Sequence, residues 1–311
     1  MKRLSIFIVG IMVAVVAMSR TFDMKQLGAD AKGIKSCTEL INRTIEKAAS
    51  EGGGTIYFPA GTYLTATIHM KSNITLYLES GAVLRFSDKF EDYLPFVTLR
   101  WEGTVMKSLS PLIYAHSADN VTISGRGTLD GNGLKWWLWE FDTRKVIKEN
   151  GGKLPALDKL QQMWVDANKN LEISDYYKPS LERRMFRPPF IQFYECTNIL
   201  IENVKIINSP FWTINPAFCD NVTIHGVTIN NPSSNPKGPN TDGINPSSCR
   251  NVRISDCFIS VGDDCITIKS GRDADGRKYG KACENITITN CIMLSGHGGV
   301  VIGSEMSGGV K

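Results

Sequence analysis

The segment CDNVTIHGVTINN, residues 219–231, contains two short runs in which β-branched residues alternate with polar ones, separated by a histidine and a glycine. Alternation with a period of two predicts β-strands, and the break between the runs is typical of a turn. Similar phrases begin at Cys196, Cys249 and Cys283, so the four openers are 23, 30 and 34 residues apart. The segment is therefore one unit of an internal repeat.

Two more copies of the phrase begin earlier, at Ser72 and Ala118. Repeats of this length, built from short strands with no crossover helix between them, predict a parallel β-helix, in which each coil of chain stacks on the previous one. The predicted fold class is all-β, a right-handed parallel β-helix. Alternate side chains such as Val222 and Ile224 would point into the tube. A ladder of asparagines is expected at one corner, formed by Asn198, Asn221, Asn251 and Asn285.

Two segments depart from the repeat. The sequence from Thr38 to Ser50 places Leu40, Ile41, Ile45 and Ala48 on one helical face, and we expect this helix to cap the N-terminal end of the tube, where strand edges would otherwise be exposed. Residues 132–189 are charged and aromatic, and they predict a loop or helical insertion.

The chain begins MKRLSIFIVGIMVAVVAMSR, with a basic start, an apolar run and small residues near position 19. This pattern predicts a signal peptide at residues 1–19, and hence a periplasmic or secreted protein with one β-helix domain at 20–311. The 311 residues are 42% apolar and 21% charged, which is typical of a soluble globular protein. The formal charge of +4 is too small to indicate a nucleic-acid partner, and we expect no membrane span in the mature chain.

The eight cysteines follow the repeat, because four of them open repeat phrases and Cys257 and Cys291 each lie eight residues after an opener. This phase predicts small buried side chains stacked in register rather than a zinc site, and it leaves one or two disulfides open.

Three short motifs carry ionisable residues: Asp242 in NTDG, the pair Asp263 and Asp264 in VGDD, and His297 in GHGG. Each motif taken singly is an ordinary turn. On successive coils about 4.8 Å apart, however, the same residues would cluster on one face. Stacked carboxylates repel one another and raise at least one pKa, a cost that suits glycosidic bond cleavage, where one acid must be protonated and another ionised.

The order NTD, GDD and GHG on a β-helical repeat resembles glycoside hydrolase family 28, the polygalacturonases. The similarity extends from about residue 23 to the end of the chain. It is carried further by GGGTIYFPAGTY (52–63), RWEG (100–103), SPFWTINP (209–216), IKSGRDADGR (268–277) and GHGGVVIGSEMSGG (296–309).

The resemblance implies an inverting hydrolase of the α-1,4 linkages in galacturonic acid polymers that uses no metal or other cofactor. By position, Asp263 would be the general acid, and Asp242 and Asp264 would hold and deprotonate the attacking water. His297 would hydrogen-bond into the acid cluster and help keep Asp263 protonated. The residue pattern agrees, because three acids on two coils can provide the roughly 6.5–9.5 Å separation that an inverting pair needs to admit water.

Substrate contacts are expected from Asn240, Lys269, Arg272 and Trp212, although a basic loop exposed to solvent and a core tryptophan explain the last three equally well. The implied partner is a pectic polysaccharide or oligogalacturonide, bound by a monomer. Members of the family carry a later Arg-Ile-Lys tripeptide that binds the substrate carboxylate. No such tripeptide follows His297, so we expect the chain to lack its C-terminal coils.

Several alternatives stay open. A calcium-dependent pectate lyase would use the acids as ligands, and DADG at 273–276 superficially resembles part of a calcium loop. A hydrolase of rhamnogalacturonan or xylogalacturonan and a non-catalytic binding β-helix are the others. Exo action is favoured over endo action, because the 132–189 insertion could close one end of the groove and IKSGRDADGR resembles exo-acting members.

Overall fold

The computed structural model describes residues 20–152, 156–171 and 187–311. The elements in chain order are β1 (Thr21–Asp23), β2 (Lys32–Ser36), α1 (Thr38–Ser50), β3 (Gly54–Phe58), β4 (Gly61–Thr65), β5 (Ile68–His69), β6 (Ile74–Leu78), β7 (Ala82–Phe86), a 3₁₀ helix (Phe90–Tyr93), β8 (Val97–Trp101), β9 (Thr104–Ser108), β10 (Ile113–His116), β11 (Asp119–Gly125), β12 (Thr128–Asp130), α2 (Leu134–Glu149), α3 (Lys159–Asn168), β13 (Ile191–Tyr194), β14 (Thr197–Glu202), β15 (Lys205–Ile207), β16 (Asp220–His225), β17 (Thr228–Asn230), β18 (Arg250–Ser255), β19 (Phe258–Ser260), β20 (Ile266–Ile268), α4 (Asp273–Tyr279), β21 (Glu284–Thr289), β22 (Ile292–Ser295) and β23 (Val300–Ile302).

The strands form three stacked parallel sheets. The first has the order β1-β3-β6-β11-β14-β16-β18-β21, and the second has the order β2-β4-β7-β12-β15-β17-β19-β22. The third contains β5, β10 and β13, continues through single bridges at Ile214 and Ile244, and ends with β20 and β23. From β3 onward each coil contributes one segment to each sheet, so the predicted parallel β-helix is confirmed.

The register of the first sheet follows the repeat in the sequence. Thr197 pairs with Asp220, which pairs with Arg250, which pairs with Glu284. Further along the same strands, Val222 pairs with Val252 and Ile224 pairs with Ile254. These side chains point inward, and Val222 and Ile224 are fully buried as predicted. Burial of such a side chain stabilises the fold by about 1.5–3 kcal/mol, so the stacked aliphatic rows are the main source of stability.

The asparagine ladder is present but interrupted. Asn221 Nδ2 donates to Asn198 Oδ1 at 2.6 Å, and Asn285 Nδ2 donates to Asn251 Oδ1 at 3.2 Å. Between these pairs, Asn251 donates instead to a carboxylate oxygen of Asp220 at 2.8 Å. All four asparagines have φ between 54° and 56°, a left-handed conformation that asparagine tolerates better than most residues. The repeat therefore requires asparagine for both its backbone and its side chain.

The cysteine side chains stack as predicted. All eight thiols are free in the described structure, and the four openers, Cys196, Cys219, Cys249 and Cys283, are buried. Their thiols hydrogen-bond to backbone carbonyls, for example Cys219 Sγ to Phe193 O at 3.1 Å. Burial raises the pKa of Cys219 well above its ordinary value, so this thiol is a neutral packing group.

Helix α1 has the predicted bounds and covers the N-terminal end of the tube, where Ile41, Ile45 and Ala48 are buried against it. The described part of the 132–189 insertion forms α2 and α3, and Trp137 fixes α2 to the tube by donating from Nε1 to Ser209 O at 2.9 Å. Residues 153–155 and 172–186 of the insertion lie outside the described residues.

The hairpin formed by β8 and β9 covers part of the outer face of the third sheet. Arg100, in the RWEG segment, is buried beneath it, where Nη1 donates to Ser248 Oγ at 2.7 Å and the guanidinium lies 4.4 Å from the ring centre of Phe218. Among the described residues, no helix has the length and apolar character needed to cross a bilayer. The predicted signal peptide, residues 1–19, lies outside the described residues.

The DADG segment at 273–276 is helical. It lies in α4 (Asp273–Tyr279), which is followed by Gly280 in the left-handed conformation with φ of 57°. Acidic residues in its first turn and basic residues in its last turn complement the helix dipole, and the glycine supplies the cap.

Candidate active site

The three ionisable motifs meet on the third sheet. Ile244 pairs with Ile266, and Ile266 pairs with Val300, so the NTDG, VGDD and GHGG motifs precede equivalent positions on three successive coils. The sequence predicted this clustering.

The register of the third sheet decides which of the acids stack on one another. Because Ile244 aligns with Ile266, Asp242 stacks on Asp264 rather than on Asp263. The next coil places His297 on Asp263, and the His297 amide donates to Asp263 O at 2.9 Å. The adjacent residues Asp263 and Asp264 therefore lie in two neighbouring stacks of side chains from successive coils.

Asp263 is held by its neighbours through one oxygen. Its Oδ1 accepts a hydrogen bond from the Asp264 amide at 3.0 Å and lies 3.1 Å from His297 Nδ1. A carboxylate oxygen of Asp263, a carboxylate oxygen of Asp264 and a ring nitrogen of His297 lie within 4.8 Å of one another. The Asp263 side chain is 21% exposed, so it is open to a substrate.

The tautomer of His297 follows from its partners. Lys237 Nζ lies 2.5 Å from His297 Nε2, and an ammonium group can only donate. We therefore assign the proton of the neutral ring to Nδ1, which donates to Asp263 Oδ1. No described residue hydrogen-bonds to Oδ2, so a proton on Asp263 belongs on Oδ2. His297 therefore orients Asp263 through its contact with Oδ1.

Asp242 is the most buried acid of the cluster, with 3% of the residue exposed. Its Oδ2 accepts a hydrogen bond from Asn245 Nδ2 at 3.0 Å. Burial raises the pKa of Asp242 to about 8; Lys269 opposes this shift, and the charge of Asp263 adds to it. Burial and the charge of Asp263 also raise the pKa of Asp264. The free site therefore holds a proton on Asp242 at neutral pH.

A pocket of about 220 Å³ opens beside Asp263. Its lining residues are Phe141, Arg144, Lys237, Pro239, Asn240, Gly262, Asp263 and His297. Asn240, a substrate contact predicted from the sequence, lines this pocket. Its Oδ1 accepts hydrogen bonds from Arg187 Nη2 at 2.8 Å and from Arg144 Nη2 at 3.4 Å. These bonds leave its Nδ2 as a donor for a ligand.

The other predicted substrate contacts lie beneath the surface. Lys269 Nζ donates to Glu305 Oε2 at 2.6 Å, and Arg272 Nη2 donates to Glu305 Oε1 at 2.5 Å. Although burial opposes it, the charges of Lys269 and Arg272 hold the pKa of Glu305 below its ordinary value. Neither basic residue lines the pocket beside Asp263, and neither belongs to a loop exposed to solvent.

Trp212 is 4% exposed and stacks on Phe211 with ring centres 5.1 Å apart. Lys269 Nζ lies 4.7 Å from the ring centre of Trp212. This environment favours the core interpretation of Trp212 over stacking on a sugar.

The acid cluster could also offer ligands to a cation, since Asp263, Asp264 and His297 are close enough. Both ring nitrogens of His297 are engaged, however, and the Lys237 ammonium would repel a cation there. The DADG segment does not form a calcium loop, because it lies in α4 and its Asp275 accepts from Val105 N at 3.3 Å.

Sequence reasoning missed Lys237, Arg144 and Glu305. Lys237 lies five residues before Asp242, and that proximity was the only signal available for it. Arg144 carries no local signal, because it reaches the pocket through the packing of the insertion. Glu305 lies in the GHGGVVIGSEMSGG segment, but its pairing with Lys269 and Arg272 depends on the packing of the last coil.

Comparison with known proteins agrees with this geometry. Residues 182–311, which hold every acid of the cluster, match the family model described as glycosyl hydrolases family 28. Residues 21–98 match the model described as rhamnogalacturonase A/epimerase, pectate lyase-like.

A probable polygalacturonase of Vitis vinifera is 33% identical over 273 residues, 86% of this chain and 47% of that protein. The crystal structure of an exopolygalacturonase from Thermotoga maritima superposes with a TM-score of 0.79 at 40% identity, over 94% of this chain and 64% of that one. The endo-polygalacturonase of Pectobacterium carotovorum is 27% identical over 93% of this chain and 64% of that protein. This chain spans less than two thirds of the length of each of these relatives. It belongs to glycosyl hydrolases family 28.

Proposed function

We propose that this protein hydrolyses the α-1,4-galacturonosyl linkages of polygalacturonate with inversion at the anomeric carbon. The observation that carries the proposal is the cluster of three carboxyl groups on two neighbouring coils, in which Asp263 lines a pocket, Asp264 is half-buried and Asp242 is buried. Inverting hydrolysis needs a protonated carboxyl at the leaving oxygen and an ionised one at the attacking water.

Asp263 is the general acid in this proposal. It lines the pocket, and its Oδ1 is occupied by the Asp264 amide and by His297 Nδ1. The proton on Oδ2 is then the one available to a glycosidic oxygen. With Asp242 neutral, the remaining repulsion is between the adjacent Asp263 and Asp264, and it favours the state in which one of these two also carries a proton.

Asp264 and Asp242 act on the water from adjacent coils. Asp242 holds its proton at neutral pH because burial raises its pKa to about 8, so it positions the water as a neutral hydrogen-bonding partner. Asp264 is less buried and serves as the ionised base that accepts the proton of the water.

We also propose that the protein cleaves its substrate from the chain end, which is exo action. Helix α2 contributes Phe141 and Arg144 to the pocket wall, so the insertion narrows the groove beside Asp263. A wall at this position limits binding to a chain end. The exopolygalacturonase from Thermotoga maritima noted above supports the same assignment.

The second candidate is hydrolysis of another pectic backbone, rhamnogalacturonan or xylogalacturonan. The match of residues 21–98 to the rhamnogalacturonase A/epimerase model favours it, although those residues lie on coils before the acid cluster. Export through the signal peptide at residues 1–19, and action as a monomer outside the cytoplasm, remain part of the proposal on sequence grounds.

The test follows two products of polygalacturonate digestion together: new reducing ends and the ultraviolet absorbance of unsaturated uronates. The proposal predicts reducing ends without absorbance, insensitive to a calcium chelator and released as short products from the first minutes. Absorbance that a chelator abolishes would overturn it in favour of a lyase. Activity only on rhamnogalacturonan or xylogalacturonan would select the second candidate, and early long oligomers would refute exo action.

A further inference from the structure

The pocket beside Asp263 has a basic wall. Arg144 reaches it from α2, and Lys237 reaches it from the connection between β17 and β18. Both residues therefore approach the catalytic acid from outside the repeating strands, on the side where a substrate enters.

One edge of the Arg144 guanidinium is hydrogen-bonded within the protein, and the other edge is exposed to solvent. Its Nε donates to Glu140 Oε1 at 2.6 Å, and Glu140 is 1% exposed. Glu140 Oε2 also lies 3.7 Å from Arg187 Nε, so two guanidinium groups share this carboxylate. The Arg144 side chain is 48% exposed, and no described residue accepts a hydrogen bond from its Nη1. It is a positioned guanidinium with donors left for a ligand.

Lys237 likewise has unused donors. Its ammonium group uses one N–H on His297 Nε2, which leaves two. Within the described part of the chain, no carboxylate forms an ion pair with Lys237. The pocket that Asp263 lines therefore presents two cations together with Asn240 Nδ2.

We propose that Arg144 and Lys237 bind the carboxylate of the uronosyl unit next to the scissile bond, with Asn240 Nδ2 as a third donor. This inference rests on the proposed function for the identity of the sugar. The planar guanidinium matches a carboxylate, and charge-assisted hydrogen bonds are about twice as strong as neutral ones. A neutral sugar would leave both cations facing an uncharged group, so the pair selects uronates over galactose.

Binding to a catalytically silent protein tests the subsite. In an Asp263→Asn background, calorimetry compares trigalacturonate with its carboxyl-reduced, neutral counterpart. Arg144→Met and Lys237→Met should each weaken binding of the charged ligand about tenfold and leave the neutral ligand within about twofold. Lys145→Met, the loss of the next exposed cation on α2, is the matched control and should change neither affinity. Melting temperatures confirm that each variant is folded.

The outcomes separate this inference from the proposed function. Equal losses for the charged and the neutral ligand, or unchanged affinities in both variants, overturn the subsite. With the active protein, Arg144→Met should raise KM for polygalacturonate about tenfold while kcat stays within about twofold. Cleavage of polygalacturonate with an unchanged KM in Arg144→Met refutes the subsite and leaves the proposed function standing. Charge-selective binding that is lost in the variants, in a protein that does not cleave polygalacturonate, supports the subsite and refutes the proposed function.

Discussion

His297 Nδ1 lies 3.1 Å from Asp263 Oδ1, although the two residues are 34 positions apart in the chain. The coil that separates them has this length, so the pair occupies equivalent positions on adjacent coils. The contact fixes the orientation of Asp263, the proposed general acid, and no described residue hydrogen-bonds to its second oxygen.

Removing the proton of Asp263 should abolish most of the activity. We expect Asp263→Asn to reduce kcat on polygalacturonate about 10²–10⁴-fold, since this is the usual contribution of general acid catalysis. Initial rates of reducing-end formation measure it, and Asp142→Asn, an exposed acid on α2, serves as the control. An Asp263→Asn variant that keeps a tenth of the activity would exclude Asp263 as the general acid.

Asp242 should make stability depend on pH. Its pKa of about 8 in the folded state lies above the ordinary value of 3.8, so the folded protein binds more protons than the unfolded chain between these two values. The free energy of unfolding should therefore fall as pH rises from about 4 to 8.

Asp242→Asn removes this ionisation and should reduce the dependence by a few kcal/mol, an order-of-magnitude figure from about 1.4 kcal/mol per pKa unit. Urea denaturation at pH 5 and at pH 8.5 gives the comparison. The same slope in both proteins would show that Asp242 is ionised in the fold.

Glu305 should be the most sensitive residue of the buried ion network. Glu305→Gln leaves both Lys269 and Arg272 without their shared carboxylate, which should cost about 3–5 kcal/mol. Lys269→Met should cost less, because Arg272 continues to neutralise Glu305.

Denaturation midpoints rank the two variants of this network. Glu51→Gln, whose partner Arg20 is exposed, should cost less than about 1 kcal/mol and calibrates the scale. A larger loss for Lys269→Met than for Glu305→Gln would contradict the shared role of the carboxylate.

The asparagine ladder predicts a difference between two substitutions at one site. Asn221→Ala loses the hydrogen bond to Asn198 and places alanine at φ of 56°, which together should cost about 2 kcal/mol. Asn221→Gly loses the hydrogen bond but adopts this φ freely, so it should be the milder change. Equal losses would show that the backbone conformation contributes little.

Much of the fold could be predicted because the spacing of the sequence repeat equals the register of the paired strands. The openers recur at the spacings that the paired strands have, and the capping helix Thr38–Ser50 is bounded as its amphipathic pattern predicts. The exact register of the acids could not be predicted, because the segment that follows Asp242 joins the third sheet only through single bridges and leaves no alternating pattern to count.

The polar groups around the acids were harder to predict. The sequence around Lys269 and Arg272 is typical of an exposed basic loop. Both side chains are nevertheless largely buried, because they form ion pairs with Glu305 from the next coil. Arg144 and Lys237 reach the pocket through an insertion and a connecting loop, and neither follows a repeat. Only tertiary packing decides such positions.

The most direct test of the central claim is proton NMR of the first sugar released from polygalacturonate, recorded before mutarotation. A single displacement at the acid cluster predicts that the new reducing end appears first as the β-anomer, with no unsaturated uronate signal. Initial appearance of the α-anomer, or of an unsaturated product, would contradict the assignment of Asp263, Asp264 and Asp242 as an inverting acid–base set.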